Sequence, residues 1–200
     1  TYMGVRSDAM LLTDPYPVGD TTITWTATDA TGNDSLTCDQ IVSVNEIVYY
    51  TLDLNVSLQG RTDFSGTYSV IFYEIGDLIT PVHSLSETAD ALGQITLSTQ
   101  IAEGDYKLLV KHPQYLQRLK TINLTSNQIE VIPELKAGDV NDNNIVNIFD
   151  ISLLVGSYNL SEGEAGYDDR ADFNDDQTVN IFDISLLVGN YNINGETQND

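Results

Sequence analysis

A fourteen-residue segment, Val146-Asn147-Ile148-Phe149-Asp150-Ile151-Ser152-Leu153-Leu154-Val155-Gly156-Ser157-Tyr158-Asn159, recurs 33 residues later as Val179 to Asn192, with one change: Asn190 stands where the first copy has Ser157. Two such copies must take the same local structure, and a period near 33 can belong to a helical-hairpin solenoid. Two copies with one helix each are too few for that, so a paired module is expected instead.

What precedes each helix sets the chemistry. Numbered as twelve-residue loops, residues 139–150 and 172–183 carry oxygen side chains at positions one, three, five, nine and twelve. These are Asp139, Asn141, Asn143, Asn147 and Asp150 in the first loop, and Asp172, Asn174, Asp176, Asn180 and Asp183 in the second. Calcium is a hard ion that takes about six to eight oxygens, and alternate-position ligands wrap it while position seven, here Ile145 or Thr178, gives a backbone carbonyl. Two Ca2+ ions are therefore expected. Position six needs a left-handed backbone and is Asn144 or Gln177 where Gly is usual; Asn tolerates that conformation better than Gln. With fewer carboxylates at ligand positions, the first loop should bind more weakly. Val146 and Val179, at position eight, are expected to face each other and pair the loops. A polar turn capping a helix through its dipole would use the same acids, but two such loops in register with a duplicated helix favour metal.

Placed at about 100° per residue, Ile148, Ile151, Leu154, Val155 and Tyr158 gather on one side of the first helix and predict a core between the two helices. Phe149 and Leu153 fall opposite, flanked by Ser152 and Gly156, and the second copy repeats this with Phe182, Leu186, Ser185 and Gly189. A module this small cannot bury both faces, and a leftover apolar stripe marks a contact surface. Because the stripe exists twice, two binding orientations are expected.

Gly138-Asp139-Val140-Asn141 through Asp150, then Tyr167-Asp168-Asp169-Arg170-Ala171-Asp172-Phe173-Asn174 through Asp183, resembles a type I dockerin. That resemblance implies a calcium-loaded pair of loop–helix units that plugs into a cohesin module, with recognition at loop positions ten and eleven. Those positions are Ile148-Phe149 and Ile181-Phe182, so the partner surface is expected to be hydrophobic: a cohesin-like module, the chain's own preceding sandwich, or neighbouring copies of the chain.

Upstream, the grammar is that of strands. Leu52, Leu54, Val56 and Leu58 alternate with polar residues, the period of a half-buried strand. Further strands are predicted at 68–73, 94–98, 106–111, 119–124 and 129–132, separated by Gly60, Gly76-Asp77, Gly93 and Gly104-Asp105. Thr88 to Leu97, followed by Glu103 to Val110 and Tyr115-Leu116, is similar to the carboxypeptidase regulatory-like (transthyretin-like) sandwich. In the first stretch, Thr21 to Thr28 and Ser35 to Val44 read as two strands about a turn. Tyr16-Pro17-Val18-Gly19-Asp20-Thr21-Thr22, Trp25 to Asp29, Gly32-Asn33 and Cys38 resemble the second half of a hyalin-repeat (HYR) module, an immunoglobulin-like sandwich. Cys38 is read either as a buried thiol or as half of a disulfide to a cysteine upstream of Thr1. Half of the basic residues, Lys107, Lys111, Arg118 and Lys120, fall on one hairpin, read as a solvated edge that discourages aggregation or as a surface for an acidic module.

The expected architecture is multi-domain: an all-β partial sandwich over 1–46, an all-β sandwich over 47–136, and a small all-α duplicated loop–helix calcium-binding module over 137–200. Thirty Asp and Glu against eight Lys and Arg, a net charge of −22, argue against nucleic acid and anionic membranes as partners. No apolar run is long enough to span a bilayer. His83 and His112 lack ligand spacing, and no nucleophile elbow or phosphate loop appears, so no catalytic residue and no enzyme are expected. Thr1 falls in mid-domain sequence, consistent with a piece of a longer secreted or cell-surface protein. Asn33, Asn55, Asn123 and Asn159 begin glycosylation triplets. The expected role is a calcium-dependent docking and spacer segment. The alternatives are a self-assembling subunit of a surface layer or fibre, and the non-catalytic tail of a secreted hydrolase.

Overall fold

A computed structural model describes all of residues 1–200. They form two compact units, Thr1–Val48 and Tyr49–Asp200.

The first unit is one antiparallel sheet in the order β1-β2-β3, from β1 (Tyr2–Arg6), β2 (Gly19–Ala27) and β3 (Cys38–Val44). The strand β1 was not foreseen, because its apolar residues Met3 and Val5 are exposed and give no buried alternation. Its last residue, Arg6, is buried and organises the loop that follows. Its guanidinium donates to the carbonyls of Leu11 (2.8 Å) and Asp14 (2.7 Å) and to Asp8 (2.9 Å), and lies 3.9 Å from the ring centre of Tyr16. Ile23 is the one buried apolar side chain of this sheet. The partial sandwich expected over 1–46 is thus a single sheet, and Cys38 is exposed rather than buried.

The second unit begins with β4 (Tyr49–Tyr50), β5 (Leu52–Asn55), β6 (Gly66–Glu74) and β7 (His83–Ala89), and continues through β8 (Gln94–Thr96), β9 (Ile101–Ala102) and β10 (Gly104–Lys111). Then come β11 (Gln114–Tyr115), β12 (Arg118–Leu124), β13 (Gln128–Val131), β14 (Ala137–Asp139) and the helices α1 (Ile148–Gly156) and α2 (Ile181–Gly189). A four-stranded antiparallel sheet, β12-β10-β6-β7, and a three-stranded sheet, β13-β5-β8, supply the sandwich. Alternation decides what faces in: Leu52 and Leu54 on β5, Tyr68, Val70 and Phe72 on β6, Ile122 and Leu124 on β12 are all buried in one core. The strand β7 escaped prediction because one of its inward positions is Glu87, a buried acid whose carboxylate accepts the N–H of Ser98 (2.9 Å).

The expected boundary after residue 136 does not separate two cores. Val146, Leu154, Phe173, Val179 and Leu187 of the duplicated segment belong to the same buried cluster as the sandwich residues. Neither is this segment all-α: β14 pairs with β11, and isolated bridges join Ile145 to Asn194 and Ser161 to Thr178. The protein is mostly β, with two short helices set on one sandwich.

The basic hairpin β10–β12 makes the junction. Lys107 donates to the carbonyls of Gln198 (2.9 Å) and Asp200 (2.6 Å), Lys111 pairs with Asp139 (3.1 Å) and Arg118 with Glu196 (3.2 Å). Glu196 also accepts the N–H of Leu119 (2.6 Å). The solvated-edge reading is therefore corrected: two of the four cations, Lys107 and Arg118, bind residues 196–200 of the same chain, Lys111 binds Asp139 in the first loop, and Lys120 pairs with Glu130 (3.3 Å).

Candidate functional site

Each predicted loop folds around its first residue. Asp139 is fully buried and its two oxygens accept the N–H groups of Asn143 (2.8 Å) and Asn144 (2.8 Å). Asn141 and Asn143 then accept the N–H groups of Asn143 (3.1 Å) and Ile145 (2.9 Å), which curls the chain with side-chain oxygens at alternate positions. Asn174 and Asp176 repeat this in the second loop, accepting from Asp176 (3.3 Å) and Thr178 (3.0 Å). Position six is left-handed in both, with φ of 66° at Asn144 and 69° at Gln177. Position four is left-handed as well, at Asp142 and Asp175; short polar side chains accept that conformation at modest cost.

Positions nine and twelve do a second job. Asn147 and Asn180 cap the helices by accepting the N–H groups of Phe149 and Phe182 (2.8 Å each). Asp150 and Asp183 return the favour to the cap N–H groups (2.8 and 2.9 Å), completing capping boxes. Asp183 also accepts the N–H of Phe173 (2.8 Å), closing the loop end to end. Burial raises the pKa of Asp139 and of Asp183, since the charged form loses water there, and the nearby Asp172 adds to the rise at Asp183.

The pairing expected between Val146 and Val179 is replaced by a reciprocal exchange. The Val146 backbone bonds to Asn192 (2.9 Å) and Ile193 (3.0 Å), beyond α2, and the Val179 backbone bonds to Asn159 (2.7 Å) and Leu160 (3.0 Å), beyond α1. Each loop is strapped by the segment leaving the other helix. The one change between copies is also explained. Ser157 accepts the N–H of Asp168 (2.8 Å), whereas Asn190 donates to Gln59 (2.6 Å) and to the carbonyl of Ala137 (2.8 Å). Nothing local in the sequence marks Asn190 as a contact residue except that it breaks the repeat.

The helix faces are only partly as predicted. Leu154 and Leu187 are buried, and with Ile151, Val155, Ile184 and Val188 they line a narrow gap between α1 and α2. Ile148, Val155 and Tyr158, expected in that core, are exposed. The predicted contact face, Ile148, Phe149, Ser152, Leu153 and Gly156 with Ile181, Phe182, Ser185 and Gly189, is exposed. Phe149 is 68% and Phe182 65% exposed. Leu186 differs: it is half-buried against Gly60 of the sandwich, beside a shallow cleft formed with Asn174, Phe182 and Ser185.

As candidate cation ligands the loops offer oxygen only, which suits a hard ion. The carboxylates of Asp172 and Asp183 are buried with no ammonium or guanidinium within 4.0 Å. Nowhere, however, do three or more His, Cys, Asp or Glu side chains gather as a metal-holding group; amides make up much of the donor set.

No known family model matches the chain, and no curated protein matches it. Among solved structures it is similar to a chain of a C-terminal interface mutant of the type II Cohesin–X–Dockerin complex from Acetivibrio cellulolyticus, with TM-score 0.58, 18% identity, and coverage of 73% of this chain and 97% of that one. An N-terminal interface mutant of the same complex gives TM-score 0.56 at the same identity and coverage. The likeness is one of fold.

These comparisons overturn the type I dockerin resemblance. The similar structures come from type II complexes, and the protein is mostly β with two short helices packed on its sandwich, not a separate C-terminal module of that kind. The carboxypeptidase regulatory-like and HYR resemblances find no matching family model either. No helix is long and apolar enough to cross a membrane.

Proposed function

We propose that this chain is a non-enzymatic, calcium-dependent docking and spacer segment of an extracellular modular protein, presenting its duplicated helix face to a protein partner. The observation that carries this reading is the exposure of Phe149 and Phe182 at equivalent places on two helices whose other sides are packed. Large aromatic side chains left in water beside small residues are the anchors that interfaces use. The fold likeness to chains of a Cohesin–X–Dockerin complex supports a partner of the cohesin-like kind.

Calcium is assigned to the two loops. Asp139, Asn141, Asn143, Ile145, Asn147 and Asp150 would hold one ion, and Asp172, Asn174, Asp176, Thr178, Asn180 and Asp183 the other. The ion would supply the positive charge that the buried Asp172 and Asp183 lack; a buried carboxylate without one is costly. Binding energy then becomes folding energy, and because the loops share a core with the sandwich, the whole of residues 49–200 should gain from it.

Isothermal titration with a type II cohesin module as the probe tests the docking face. Binding in calcium that is lost in Phe149→Asp with Phe182→Asp, at unchanged calcium stoichiometry, is the expected result; unchanged binding in that double variant overturns it. Melting in calcium and in excess chelator tests the metal. A lower midpoint in chelator is expected, and an identical midpoint and helical signal overturn the calcium assignment.

A self-assembling subunit is the second reading, favoured by the three-stranded sheet of residues 1–48 with its exposed Tyr2, Val5 and Ile41. Sedimentation of the purified chain with calcium decides it: polymers favour assembly, a monomer favours docking to a foreign partner.

A further inference from the structure

The two loops share a scaffold but not a charge environment. In the first, the Lys111 ammonium lies 3.1 Å from Asp139, contacts Asp142 as well, and donates to the carbonyl of His112 (3.2 Å). Lys111 ends β10, where it pairs in register with Ser69, and its side chain is only 15% exposed. The sandwich thus delivers a cation to the first ligand position of the loop.

The second loop has no such cation. Asp172, the counterpart of Asp139, accepts the neutral Tyr167 hydroxyl (2.8 Å). The Arg61 guanidinium reaches Asp175 at position four (3.7 Å) and the Phe173 carbonyl (3.3 Å), neither of them the first ligand position. Three ligand-position carboxylates, Asp172, Asp176 and Asp183, stand there without a charged partner, against Asp139 and Asp150 in the first loop, one of them already paired.

We propose that Lys111 is a resident counter-cation that occupies the first loop in place of metal, so that the loops fill in order: the second tightly, the first only when calcium displaces the lysine. This rests on the calcium reading above. A lysine ammonium and a divalent ion cannot share the Asp139 carboxylate without repulsion, and loops of this type tune affinity over decades through their ligand charge. The first loop therefore keeps its shape in the absence of metal, and its calcium site is a low-affinity one.

Calcium titration calorimetry on the full chain tests this. The wild type should show two steps. Asp172→Ala should remove the tight step and Asp139→Ala the weak one; the reverse assignment overturns the proposal even if no Lys111 variant folds. Lys111→Met should tighten the weak step by about tenfold, in line with the charge dependence of such sites, while Lys111→Arg, which keeps the charge, leaves it weak. A weak step unchanged in Lys111→Met, with the tight step intact, sinks the lysine role and leaves the calcium reading standing. Absence of calcium binding in every variant sinks both.

Discussion

Asn190 donates its side-chain amide to Gln59, 2.6 Å away and 131 residues earlier in the chain, at the single position where the second copy of the repeat departs from the first. The same amide satisfies the buried carbonyl of Ala137 (2.8 Å). Two copies of one helix cannot both meet the same sandwich, so one of them carries the residue that does. Asn190→Ser, which restores the repeat, should cost about 1–3 kcal/mol by leaving a buried acceptor unpaired, read from the urea midpoint. Ser157→Asn should recover none of it.

The shared core predicts that helix and sandwich unfold together. Leu187→Ala should destabilise residues 49–200 by about 2–5 kcal/mol. Hydrogen exchange should show the loss at sandwich amides such as Leu54 and Phe72 as well as at Val179. Protection lost only beyond residue 137 would count against a common core.

Gly60 has φ of 88°, and a methyl group there would lie 2.5 Å from the end of Leu186. Gly60→Ala should therefore cost about 1–3 kcal/mol through both backbone strain and crowding. Added to Leu186→Ala, it should cost less than it does alone, since the crowding partner is gone. A double-mutant cycle in denaturant measures the coupling.

His112 stands 4.8 Å from Tyr68 and 5.4 Å from Tyr115, ring centre to ring centre. Burial pushes its pKa down, Arg61 and Lys111 push the same way, and the Pro113 carbonyl and Asp142 oppose them. A histidine with a depressed folded pKa binds fewer protons when folded. Its contribution is present above the unfolded value of about 6.5 and is lost as pH falls from there through the folded pKa. The urea midpoint should drop between pH 7.5 and the acid side of this window, and His112→Gln should flatten that drop. An equal slope in the variant would assign it to other groups.

The repeat, the left-handed turn in each loop and most sandwich strands could be read from local pattern, because period and turn chemistry are local facts. Position six illustrates this: Asn144 and Gln177 stand where a left-handed residue is needed, and both are left-handed. What stayed hidden depends on partners far along the chain. Lys111 and Asp139 are 28 residues apart, Arg118 and Glu196 farther still, and nothing in either neighbourhood announces the other. The core expected between the helices formed only in part, around Leu154 and Leu187. A helical wheel shows which side is apolar but not how much of it a neighbour covers, and Val155 and Tyr158 stay in water. Glu87 concealed β7 because a satisfied buried acid mimics a solvent-facing one.

The inward use of the basic hairpin has an electrostatic consequence. Arg6, Arg61, Lys107, Lys111, Arg118, Lys120 and Arg170 are each bonded to an acceptor within the chain, which leaves Lys136 as the one lysine or arginine without such a contact. With a net charge of −22, the protein as a whole is strongly anionic. Copies in dilute buffer repel one another, a positively charged partner is drawn in from beyond contact range, and both effects fade once salt shortens the screening distance to about 8–10 Å.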